Sequence, residues 1–215
     1  MVCVILFFTM IGVIFDEYNG KQNSYTDNDS QVYQLTDTNA IIKRYWEAYS
    51  SNRYNIQYEV KSESNATAYE FRNNIQLFQF DNYMMYFNQI YHTIYLEQKS
   101  QVDFLLDSLK KMEVELGLNR DDFAKVVVSM VQDIPYTLVL EQQKCSEQWD
   151  YEGPCIEGQK FGIFSPVEFL YNLKGDCDTR TLLLYTLLKE LSYNPIILNS
   201  YQYEHSILAL DIHAT

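Results

Sequence analysis

The stretch "TLLLYTLLKEL" (181–191) is apolar around most of a helix's circumference. Such a helix must be enclosed by other elements, because it has no polar face to offer water. Its start is marked by "GDCD" (175–178): a turn glycine, a capping acid and a cysteine between two carboxylates. Its end, near residue 192, is set by Asn194-Pro195, since proline has no N–H to donate and restricts the residue before it. "PIILNS" (195–200) then reads as a strand, "YQYE" (201–204) as a turn and "HSILALDI" (205–212) as a second strand. A rigid, central helix is a good mount for the cysteine at its mouth.

A thiol attacks as its thiolate. A helix N-terminus favours that form through unpaired N–H groups and partial positive charge. The carboxylates of Asp176 and Asp178 work the other way, so Cys177 needs a cationic partner, and histidine is the usual one. The chain has three candidates, His92, His205 and His213. The helix leads ~20 Å away from Cys177 at ~1.5 Å per residue. The strand after it leads ~20 Å back at ~3.3 Å per residue. His205 is therefore expected beside Cys177. His213 would lie ~26 Å further along its strand, and His92 sits in an aromatic helical run and is expected to pack there.

The run "GDCDTRTLLLYTLLKELSYNPIIL…HSILAL" resembles the core of the transglutaminase-like cysteine hydrolase superfamily. Upstream, "VVVSMVQDIPY" (126–136) and "SPVEFL" (165–170) are similar to bacterial members, and the resemblance covers roughly residues 82–212. It implies an α+β, papain/transglutaminase-like core: a central helix carrying the cysteine, packed on an antiparallel sheet, with a helical N-terminal layer. It also implies that Cys177 attacks a carbonyl carbon while His205 forms the ion pair and shuttles the proton. The reaction would be acyl transfer from a peptide or side-chain amide, to water or to an amine, with no cofactor. The Cys177 N–H is the expected oxyanion donor. Gln132 or Tyr136 could add a side-chain donor, or simply pack against the helix. Asp176 and Asp178 are most simply capping acids, and could also contact substrate. The family's orienting acid on the following strand has no counterpart: Asp211 would lie ~20 Å from His205 along an extended strand. That residue is expected beyond Thr215, with Asp178 and Glu204 as nearby substitutes. A binding domain that kept the fold and lost turnover is the alternative.

The rest of the chain bounds these readings. A net charge of −13 disfavours nucleic acid, whose phosphates select basic surfaces. The opening "MVCVILFFTMIGVIF" (1–15) is wholly apolar but shorter than the roughly 20 residues of a spanning helix. It is read as an anchor or signal remnant, which would make the protein exported or membrane-attached. Cys145 and Cys155 bracket a short loop and could close it as a disulfide in an oxidising compartment. Their spacing is wider than that of structural zinc cysteines, and no metal site is expected.

The expected organisation is an apolar segment (1–15), a linker and strand-containing extension (16–80), and the core (81–215), C-terminally incomplete. Within it, residues 40–49 read as a helix and 53–60 as a strand, while 66–80 fit either. Helices begin near residue 82. Ser100 and Asp103 suggest a capping box, Gly117 a helix stop, Pro135 the end of the next helix, and Pro166 the start of a brief one.

Overall fold

The computed structural model describes residues 31–36, 38–48, 51–78, 83–148, 151–200, 202 and 205–210. The apolar 1–15 segment, Glu204, Asp211 and His213 lie outside them.

The chain begins with an antiparallel meander, β1 (Gln31–Leu35), β2 (Asn39–Glu47) and β3 (Arg53–Lys61), in which Ile42 faces Tyr58 and Trp46 faces Tyr54. β2 corrects the helix expected over 40–49. Its inward positions Ala40, Ile42, Arg44 and Trp46 alternate with outward ones. Period two therefore decides. The inward arginine hides that period in the sequence, and it is tolerated because Asp133 pairs with it at 2.7 Å. β3 alternates as expected. Residues 31–35, read as linker, form β1.

Helix α1 (Ser62–Asn74) follows β3 directly, settling the ambiguous segment as a helix up to residue 74. Next come α2 (Tyr83–Gln98), a 3-10 turn (Lys99–Val102) and α3 (Asp103–Leu116). That turn occupies the expected capping box. The residue before α3 is Val102, and no side chain caps the helix. Gly117 ends α3 at φ 58°, in the left-handed region glycine tolerates. α4 (Arg120–Gln132) is capped by Asn119, whose side chain accepts the Asp122 N–H at 2.9 Å. The loop after it carries two short strands, β4 (Leu138–Val139) and β5 (Cys155–Ile156), paired in parallel. Cys145 and Cys155 are joined as a disulfide. α5 (Pro166–Asn172) starts with a capping box between Ser165 and Glu168.

The cysteine helix is α6 (Cys177–Glu190), followed by the antiparallel hairpin β6 (Pro195–Ser200) and β7 (His205–Leu210), in which Ser200 faces His205. Thr179 to Leu184 and Thr186 to Leu188 are buried in α6. Leu183, Leu184, Leu187 and Leu188 belong to one buried core with residues of β3, α3, α4 and α5 and with Leu208 and Leu210 of β7, and Leu182 belongs to a second with Ile90, Tyr91 and Ile94 of α2. The inward apolar side chains of β2 and β3 belong to the first core. The architecture is α+β, with helices between small, mainly antiparallel sheets. Among the described residues, no helix is long and apolar enough to cross a membrane.

Candidate active site

The first turn of α6 is fixed from both sides. Gly175 leaves room for it: a Cβ there would come within 2.5 Å of the Thr179 side chain. Asp176 caps the helix, its Oδ1 accepting the Thr179 N–H at 3.2 Å. The Val139 N–H reaches the same carboxylate from β4. Thr179 Oγ1 also accepts the Phe164 N–H at 3.0 Å. On the other flank, Arg180 donates to the Gln132 carbonyl at 3.1 Å and to its side-chain Oε1 at 3.3 Å, joining α6 to the end of α4. Gln132 is thus engaged in holding the helix.

Strand β7 enters across this turn. The backbone N–H groups of Ser206 and Asp178 face the Cys177 sulfur. Thr181 Oγ1 donates to the Ser206 carbonyl at 3.2 Å. Strand β7 thereby sets Ser206, the residue after His205, on the cysteine turn. His205 itself is half-buried. The Cys177 N–H, expected to serve an oxyanion, faces the phenol of Tyr136. Tyr136 lies beside Gly175 through a parallel backbone bridge, and its ring carries the Arg180 guanidinium at 5.3 Å.

Asp178 is not a capping acid. Its Oδ1 accepts the Tyr91 hydroxyl at 2.8 Å and the Ser206 hydroxyl. Ser206 Oγ also lies 3.1 Å from Tyr91 Oη and 2.6 Å from Asn199 Oδ1. Sequence reasoning missed Tyr91, Ser206 and Asn199. Tyr91 reads as one more core aromatic, and only the hydroxyl it carries into a buried face hints at a polar partner. His92, expected to pack, is exposed.

Burial pushes the Cys177 thiol well above its ordinary range, and Asp178 and Asp176 push it further. Burial lowers the His205 imidazole, with the Asp178 charge pulling the other way. These directions favour a neutral thiol and a neutral imidazole over an ion pair at rest. Asp176 is raised to about 7 by burial and by the Asp178 charge beside it. Burial likewise raises Tyr91 and Tyr136, so both phenols keep their protons. Among the described residues, no group of three His, Cys, Asp or Glu side chains is arranged to hold a metal ion.

Compared with protein-family models, curated proteins and solved structures, the chain has no match.

Proposed function

We propose that the protein is a transglutaminase-like thiol hydrolase or acyltransferase with a papain-like core, acting on a peptide or side-chain amide through Cys177 and His205. The reading rests on one observation: strand β7 crosses the first turn of the cysteine helix at Ser206, the neighbour of His205, where Thr181 Oγ1 donates to the Ser206 carbonyl and the Ser206 hydroxyl donates to Asp178. In this reading the neutral thiol gives its proton to His205 as Sγ bonds to the carbonyl carbon. The imidazolium then protonates the departing amine, leaving a thioester on Cys177. Water, or a second amine, attacks that thioester and releases Cys177 with its proton restored. Tyr136, beside the Cys177 N–H and held protonated by burial, offers its phenol proton to the developing oxyanion. An exported or membrane-attached setting fits the apolar opening segment and the disulfide between Cys145 and Cys155.

A second reading, a binding domain on the same scaffold, draws on the raised thiol, since a protonated sulfur is a poor nucleophile. Intact-mass measurement after exposure to a p-nitrophenyl acyl ester separates the two. The enzyme reading expects an acyl adduct on Cys177 that turns over, is absent in Cys177→Ala and is lost in His205→Ala. No adduct, or equal labelling with and without His205, leaves the binding domain.

A further inference from the structure

Asp178 carries a negative charge into the site and makes the thiol a weaker acid, so its position directly after the cysteine needs a reason. Its hydrogen bonds supply one. The carboxylate takes the Tyr91 hydroxyl from α2 and the Ser206 hydroxyl from β7. A hydroxyl has one proton to give, and Ser206 gives its own to the carboxylate. The same hydroxyl lies 2.6 Å from Asn199 Oδ1 on β6. The result is a continuous cluster: Asn199 on β6 meets the hydroxyl of Ser206 on β7, and Ser206 and Tyr91 both donate to Asp178 on α6. Four elements, α2, α6, β6 and β7, are thereby tied together at the point where β7 crosses the cysteine turn. The same crossing is held by Thr181 Oγ1, which donates to the Ser206 carbonyl at 3.2 Å.

We propose that Asp178 is the positioning carboxylate of the site: by gripping Ser206, it holds the preceding residue, His205, where its imidazole can take the Cys177 proton. This inference rests on the Cys177–His205 reading and assigns to the cysteine helix a task that would otherwise need an acid on a further strand. The arrangement is economical in sequence, since nucleophile and orienting carboxylate are adjacent, but it costs thiol acidity. The charged and titratable groups facing Asp178 and the pair are Asp176 and Cys177 on α6, Tyr91 on α2, and Tyr136 on the segment after α4.

The full chain with Asp178→Asn tests the proposal with three readouts. Removing the charge destabilises an imidazolium and stabilises a thiolate. The NMR titration of His205 should therefore move to lower pH, and Cys177 should be alkylated by iodoacetamide faster at neutral pH. Acylation by the p-nitrophenyl ester should nevertheless fall, on the order of tenfold or more, because position is lost. More thiolate with less acyl transfer is a signature that a merely electrostatic or structural role does not give. Acylation that speeds up together with alkylation overturns the proposal, as does an unchanged His205 titration in a variant that melts like the wild type. Should Asp178→Asn not fold, Tyr91→Phe and Ser206→Ala cut the two donors singly and leave the charge. Each should lower acylation without accelerating alkylation, and unchanged acylation in both is equally fatal. Failure of the underlying reading looks different. The wild type then acquires no acyl group at all, and the His205 titration alone judges whether Asp178 controls the imidazole.

Discussion

Two of the places where this protein buries charge are built on opposite plans. Beneath α1, Arg72 and Glu168 are both fully enclosed and meet through two hydrogen bonds of 2.8 Å, with the Gln159 side chain and the Lys160 carbonyl taking further guanidinium protons. Every charge there has an opposite partner. At the mouth of α6, two carboxylates stand two residues apart around a thiol, and hydroxyl and amide donors are hydrogen-bonded to them. The first arrangement only holds α1 to α5. The second leaves protons whose release depends on the surroundings, which is what a chemical site requires. Burial alone therefore does not mark function; the difference lies in whether charge is cancelled or left to be cancelled by a proton.

The sharpest break in this comparison is Glu168→Ala. It strands a buried guanidinium and removes the cap of α5, so it should cost about 3–5 kcal/mol in a denaturant melt. A loss below 1 kcal/mol would mean that the pair is not enclosed as described.

Asp176→Asn should behave differently. The folded carboxyl titrates at about 7 against 3.8 for an ordinary aspartate, so the fold binds the proton more tightly than the unfolded chain does. Its contribution is therefore complete below about pH 4 and is lost as pH rises to about 7. Asparagine keeps the acceptor oxygen without the charge. The variant should gain about 1–3 kcal/mol on the wild type between pH 4 and pH 8. A difference between the two melts that does not change with pH contradicts the buried, proton-holding carboxyl.

The smallest effect belongs to charge that is not buried at all. Lys111 and Glu115 lie 3.7 Å apart on the open face of α3. Glu115→Ala should change stability by less than about 0.5 kcal/mol. A larger change would show that exposed and buried pairs are less distinct than the comparison holds.

The site end of the molecule was more legible in the sequence than the N-terminal end. Gly175, the leucine run and Pro195 carry their meaning locally, as turn, enclosed helix and break, so α6 and the hairpin follow from composition and length. β2 does not. Arg44 occupies an inward position that pattern reasoning assigns to an apolar residue, and its partner Asp133 is far along the chain. The same holds within the site. Asp176 acts as a cap on its own helix and could be read. Asp178 acts on Tyr91 and Ser206, which no local spacing connects to it. Ser100 and Asp103 show the converse: a local signal for a cap that the 3-10 turn overrides. What stayed hidden is consistently long-range and polar.

The central claim is that burial and two neighbouring carboxylates keep the proton on Cys177 until a reaction removes it. The most direct measurement is the pH dependence of iodoacetamide alkylation at Cys177 in the full chain, followed by peptide mass mapping with the Cys145–Cys155 disulfide intact. The rate should stay low through neutral pH and climb only above the ordinary thiol range of about 8.5. A rate already at its plateau near pH 6 would mean that the sulfur is a thiolate at rest, and would contradict the account.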